Sequence, residues 1–240
     1  MSHKYLKITE TLLYLASFAC LAAMAAHIFG IVYFAHGEKI IAGFSAVVCV
    51  YAASEARAKG LQGNKRKALI KNTLTCIFVF YIMVLVDFTL IDDSLGRNIF
   101  NIYNWSKEAF DNYLRNNINL IPFATVRLFI NAIKNDALPI SAVLENLLGN
   151  LVAFMPLPFF LTVHFKYFSK WHRVFVAVLL SVILVETLQF VFLTGSSDID
   201  DVILNTGGAM LMYGFLKTKT AGEIVNRLTF GLWEENNGQA

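Results

Sequence analysis

Residues 173–208 read RVFVAVLLSVILVETLQFVFLTGSSDIDDVILNTGG. The stretch is mainly apolar from 173 to 194, breaks at Gly195-Ser196-Ser197-Asp198, and is apolar again from 202 to 216. About 20 predominantly apolar residues cross the hydrocarbon core of a bilayer. The first run therefore predicts a membrane span, and the second is a shorter span that has to tilt or sit in thinned lipid. Set into these runs are Glu186 and Gln189 at i and i+3, and Asp201 and Asn205 at i and i+4. Each pair shares one face of its helix.

Further apolar runs lie at 11–35, 40–54, 73–91 and 142–165, in a chain that is 57% hydrophobic and 15% charged. That balance exceeds the apolar share of an ordinary soluble domain. It predicts an all-α polytopic membrane bundle of about six transmembrane helices, with 40–54 and 202–216 the short members. Fourteen of the twenty Lys and Arg fall in one alternate set of polar segments, most densely at 57–71, and six in the other. Basic residues in short loops stay on the cytoplasmic side, so both termini and 57–71 are expected inside, and 92–140 outside. The net charge of +3 is explained by this topology, and no basic stripe with interleaved aromatics points to nucleic acid. Lys4, Lys7 and the small residues at 22–26 imitate a signal peptide, but apolar character continues through 28–34, which favours an uncleaved span. Cys20, Cys49 and Cys76 all fall within spans and read as small apolar residues. No repeat or linker interrupts the chain. Its organisation reads as a two-helix addition at 1–72, a transmembrane domain at 73–217 and a cytoplasmic tail at 218–240.

The segment 92–140 has order of its own. Ser106 is placed to cap a short helix carrying Phe110, Tyr113 and Leu114. Val126, Phe129, Ile130 and Ile133 then recur at helical spacing, with Arg127, Asn131 and Lys134 opposite. This second helix either lies in the outer interface or covers the spans from solution.

Polar residues inside spans are costly, a central charge by roughly 2.5–3.5 kcal/mol on insertion scales. Asn146 and Asn150 join the two pairs above as a third at i and i+4. On the expected topology Asn205 lies about 6 Å below the outer end of its helix, and Asn150 and Glu186 about 12 Å below theirs. These groups are expected to turn toward one another as a polar pocket in the outer half of the bilayer. Interhelical hydrogen bonding that serves packing alone is the competing explanation. Pro156 and Pro158 are expected to kink the fourth span, and Gly207 and Gly208 to admit close helix approach. Asp198, Asp200 and Asp201 suit helix capping better than a divalent cation. Histidines sit away from the pocket, so no metal or other cofactor is predicted.

Four motifs in order carry a resemblance. They are Asn119-Leu120-Ile121-Pro122-Phe123, then Asn146 and Asn150 with Phe154 and Pro156, then Glu186 with Gln189, and last Asp198-Ile199-Asp200-Asp201-Val202 with Asn205 and Gly208. Together they resemble the VanZ-like domain over roughly 73–217. The resemblance implies a bacterial cell-membrane protein associated with low-level teicoplanin resistance. Two departures are visible: Ser196 and Ser197 stand where many relatives have an Arg, and two spans precede the domain.

The pocket is expected to bind an amphiphile, either a membrane lipid or a lipidated glycopeptide, through Arg127, Asn146, Asn150, Glu186, Gln189, Asp198, Asp201 and Asn205. Amide groups supply donors and acceptors for a headgroup, and Arg127 an anion partner. A membrane enzyme acting on a lipid-linked cell-wall precursor, with Glu186 as general acid or base and Asp201 orienting substrate, is the alternative. A structural assembly partner is the third.

Overall fold

The computed structural model describes residues 3–28, 32, 34 and 36–238. In chain order the helices are α1 (His3–Ile28), α2 (His36–Ala58), α3 (Gly63–Val86), α4 (Lys107–Asn116), α5 (Ala124–Lys134), α6 (Ile140–Ala153), α7 (Pro156–His164), α8 (Trp171–Phe192), α9 (Ile199–Leu216), α10 (Lys219–Leu228) and α11 (Leu232–Asn237). Two short strands, β1 (Ile118–Asn119) and β2 (Ser197–Asp198), pair in parallel, Ile118 opposite Ser197 and Asn119 opposite Asp198.

Among the described residues, four stretches are long and apolar enough to cross a membrane: Gly37–Ala58, Gly63–Ile91, Ile140–His164 and Trp171–Phe192. Between 22% and 33% of each stretch's most apolar window is buried within the chain. The remainder is half-buried or exposed, with Val176, Leu180, Leu184 and Val191 of α8 among the exposed. Apolar surface of this extent is covered favourably by lipid and not by water, so the chain is a helical membrane protein. The expected count of about six is not reached on length and apolarity. The first run contributes only the shorter apolar helix Thr11–Ala26, and α9 has 18 residues, two of them the acids Asp200 and Asp201 in its first turn. Apolar continuity through 28–34 falls largely outside the described residues. By contrast the run at 40–54 proves longer than its apolar core, because α2 draws in flanking residues at both ends.

The chain divides into two compact units. In the first, Met1–Tyr81 with Asn226–Leu232, α1 packs along α2. Hydroxyls tie the helices together: Tyr14 Oη lies 3.1 Å from Ser54 Oγ, Thr73 donates to Ser54 at 2.8 Å, and Ser17 donates to Ala46 O at 3.1 Å. Such bonds replace the hydrophobic drive that lipid removes. Tyr51 donates to Leu228 O at 2.6 Å, and the Arg66 guanidinium sits 4.0 Å over the Phe230 ring.

The second unit, Ile82–Val225 with Trp233–Ala240, is built around α9, which packs on α5, α6, α7 and α8. The fourth apolar run breaks as expected between α6 and α7. Pro156 has no N–H for Val152 O, and Pro158 none for Phe154 O. Met155 N donates to Val152 O instead at 3.0 Å, and Leu157 N to Phe154 O at 3.1 Å. Of the two expected small-residue contacts, only Gly208 makes one. A Cβ there would lie 1.8 Å from Leu151 O, whereas one at Gly207 meets nothing within 4 Å. Backbone of α6 therefore rests on backbone of α9.

Helix α9 runs beside α8 over most of its length. Its start meets the last turns of α8, where Asp198 N donates to Glu186 Oε2 at 3.2 Å, and near its end Tyr213 donates to Ser169 O at 2.7 Å, just before α8 begins. After α9 the chain forms α10 and α11, and Asn236 and Asn237 of α11 donate to Val163 O at 2.7 Å and Thr162 O at 3.1 Å, supplying donors to carbonyls at the end of α7.

Candidate functional site

The start of α9 is where separate stretches of chain meet, and the aspartates do most of the joining. Asp198 caps its own helix by accepting from Asp200 N at 2.8 Å, and also accepts from Asn119 Nδ2 at 3.1 Å and from the Thr125 hydroxyl. Asp200 points the other way. Its carboxylate accepts from Phe123 N at 2.5 Å, Thr125 N at 2.9 Å and Val126 N at 3.2 Å. These donors are at the N-terminus of α5, whose own N-cap residue, Phe123, provides no side-chain acceptor. A carboxylate suits that position because it meets both unpaired N–H groups and the positive end of the helix dipole. The expected capping role of the aspartates is thus observed, with one cap made in cis and the other across the fold. Helix α5 itself matches the expected stripe at Val126, Phe129 and Ile133, which are half-buried, while Ile130 is exposed.

Above this joint three loops are clasped. Leu193, in the left-handed region at φ 52°, ends α8. Beyond it Gly195 N donates to Gly96 O at 3.3 Å, Asn98 N to Thr194 Oγ1 at 2.5 Å, Asn117 Nδ2 to Gly195 O at 2.9 Å and Ser197 N to Asn117 O at 2.8 Å. Helix α4, capped by Ser106 as expected, leans on α8. Phe110 and Tyr113 both meet Phe190 edge-on, at 5.9 and 6.1 Å, and Tyr113 Oη lies 3.2 Å from Ser197 Oγ. Burial, reinforced by the charge of Glu186, raises the Tyr113 phenol above its usual range although Ser197 and Arg97 act against the shift. An open groove of about 340 Å³ runs over the clasp, lined among others by Gly96, Asn112, Tyr113, Asn117 and Gly195.

Beneath the clasp lie the carboxylates. Glu186 of α8 uses Oε2 to accept from Asp198 N, and Asp201 of α9 uses Oδ1 to accept from Asn150 Nδ2. The charge of Asp201 acts on Glu186, and the charge of Arg97 acts on both. Arg97 is the residue that sequence reasoning missed as a site group. Gly195 at φ +61° makes room for it, since a Cβ there would lie 1.5 Å from Arg97 Nη1. That nitrogen is buried without a hydrogen-bond partner. The signal was present only as a basic residue after Gly96, indistinguishable in sequence from the other loop cations. Gln189, 2% exposed, donates to Thr89 O at 2.9 Å, and Asn205, 5% exposed, donates to Asp201 O at 2.8 Å. In each the amide oxygen has no partner.

Of the expected site residues, Asn150, Glu186, Gln189, Asp198, Asp201 and Asn205 gather at this end of the unit. Arg127 and Asn146 are exposed and are not hydrogen-bonded to the cluster. Asn146, one turn before Asn150 on α6, stays exposed and takes no part in the contact with Asp201.

A profile of the VanZ/LLP1 family matches residues 78–220, from the last turns of α3 to the start of α10. The chain belongs to the VanZ/LLP1 family. Among curated proteins, Protein VanZ of Enterococcus faecium is 28% identical over 146 residues, which is 61% of this chain and 71% of that protein. No solved structure matches the chain. The VanZ/LLP1 region takes in the clasp, the aspartate joint and the Glu186–Asp201 pair, whereas α1 and α2 precede it.

Proposed function

We propose that this VanZ/LLP1 protein sits in a bacterial cell membrane with both termini in the cytoplasm, binds an amphiphile through the polar cluster at the start of α9, and confers low-level resistance to teicoplanin. The observation that carries the reading is incomplete satisfaction. Buried polar groups in a membrane protein ordinarily find partners, yet Arg97 Nη1, Gln189 Oε1 and Asn205 Oδ1 have none. Packing glue accounts for bonds that are made and not for donors and acceptors left over. The amphiphile reading also fits the surroundings, because Leu120, Ile121 and Phe123 beside the joint are exposed apolar residues suited to an acyl chain. Arg127, expected as the anion partner, is replaced in this role by Arg97.

The course of α9 alongside α8 supports counting it as a span despite its length, and α1 brings the count to about six. On this topology the clasp faces out. Single cysteines at Lys65 and Ser106, in a background lacking Cys20, Cys49 and Cys76, test it on intact cells with an impermeant thiol reagent. Ser106 is expected to label and Lys65 to stay protected; the reverse pattern would move the cluster to the cytoplasm.

The functional test compares Glu186→Gln with wild type, each produced in a susceptible bacterium. The isosteric change is expected to leave folded yield in detergent unchanged and to return the teicoplanin inhibitory concentration to that of cells without the protein. Loss of yield in proportion to loss of protection would show that Glu186 serves packing. An acid–base enzyme has one observation in its favour, the oxygen each carboxylate leaves without a hydrogen bond. Turnover of a purified lipid-linked precursor by the wild type, abolished in Glu186→Gln, would select it.

A further inference from the structure

Unmet hydrogen-bonding capacity around the Glu186–Asp201 pair is lopsided. Glu186 Oε1 and Asp201 Oδ2 receive no hydrogen bond, since the bonds to these carboxylates come from Asp198 N on Oε2 and Asn150 Nδ2 on Oδ1. Gln189 and Asn205, each more than nine-tenths buried and one turn away on the same helix faces, add two amide oxygens without donors. Against these acceptors stand Arg97 Nη1, a donor without an acceptor, and the Thr206 hydroxyl next to Asn205, which has no partner and can donate or accept. Among the described residues no basic side chain forms an ion pair with either carboxylate. Arg97 acts on both from a distance, and Asp198 is already committed to capping α9 and holding Asn119 and Thr125. A ligand that completes this arrangement brings several N–H or O–H donors and positive charge to the carboxylates, and an anionic oxygen to Arg97.

We propose that the site receives a primary ammonium carried on a phosphate headgroup, the ammonium between Glu186 and Asp201 and the phosphate against Arg97. This rests on the amphiphile reading above and specifies its headgroup. A primary ammonium has three N–H donors in a compact point charge, and each N-methyl group removes one donor and adds bulk. The quaternary form keeps its charge but can make no hydrogen bond to Glu186 Oε1 or Asp201 Oδ2. Arg97 is a specificity residue for the phosphate, held in place because Gly195 has no side chain.

The probes are phosphatidylethanolamine and its mono-, di- and trimethylated forms with identical acyl chains, offered to the full chain in detergent and scored by native mass spectrometry. Retention is expected to fall stepwise, reaching at least tenfold between the primary and the quaternary headgroup. Glu186→Gln is expected to retain lipid but lose this preference, and Arg97→Gln to weaken all four lipids alike without changing their ratio. Equal retention of the four by wild type overturns the ammonium site while the amphiphile reading stands. Retention of no lipid overturns both. Soluble phosphoethanolamine distinguishes the source: displacement of lipid only at concentrations far above the lipid's supports an amphiphile, and displacement at equal concentration keeps the ammonium site but overturns the amphiphile. The methylation series is read on wild type, so it decides the matter even where a variant fails to fold.

Discussion

Asp200→Ala is expected to lose most of the folded protein, a larger effect than any other single carboxylate removal in the chain. The side chain is 2% exposed and is the acceptor for Phe123 N, Thr125 N and Val126 N. Alanine leaves those part-buried donors without their acceptor, at about 1–3 kcal/mol for each that finds no water, and removes the charge facing the α5 dipole. Several kcal/mol is a large share of the stability of an ordinary domain. Asp200→Asn is expected to lie between, because the amide keeps one oxygen but turns an NH₂ group on donors the second oxygen served. Folded yield in detergent and hydrogen exchange at 123–126 check both variants. Fast exchange there with an intact α8–α9 contact would show α5 released while the bundle holds. Unchanged exchange in Asp200→Ala would remove this carboxylate from the account of how α5 is anchored.

The contrast between Asp200 and Glu186 shows what local sequence does and does not reveal. Period-based reasoning placed Glu186 with Gln189 and Asp201 with Asn205 on single helix faces, and those pairs do converge. It located the break at Pro156 and the cap at Ser106, because each depends on the chemistry of a few adjacent residues. The partner of Asp200 lies some 75 residues earlier in the chain, and that of β2 is β1 before α5. No periodicity encodes such pairings; they follow from the fold bringing two loops to one level. Arg97 was invisible for the same reason, since its importance lies in Gly195 lacking a Cβ almost a hundred residues later. The span count is a different matter, because length and hydropathy reach four of the expected six or so. Length and hydropathy judge a helix in isolation, whereas α9 carries two acids in its first turn because neighbouring backbone and side chains satisfy them.

Gly208→Ala should separate α6 from α9, and Gly207→Ala should not. Both changes gain about 1 kcal/mol of helix propensity, so any difference between them is steric. At Gly207 the added methyl enters open space, while at Gly208 it would lie 1.8 Å from Leu151 O and 2.8 Å from Leu151 C. Backbone cannot rotate away as a side chain can, so one helix has to move by more than an ångström. Movement of α6 also pulls Asn150 from Asp201, since Asn150 is adjacent to Leu151 and its amide is the donor to that carboxylate. A backbone-to-backbone contact of this type fails as a unit, because close packing leaves no slack to absorb a methyl group. Folded yield and thermal unfolding in detergent are expected to match wild type in Gly207→Ala and to drop sharply in Gly208→Ala. A disulfide between cysteines placed at 147 and 204 would report whether α6 and α9 still lie side by side in whatever Gly208→Ala protein survives. Equal stability of the two alanine variants would mean that α6 and α9 are not in backbone contact, and the geometry holding Asp201 to Asn150 would have to be built in another way.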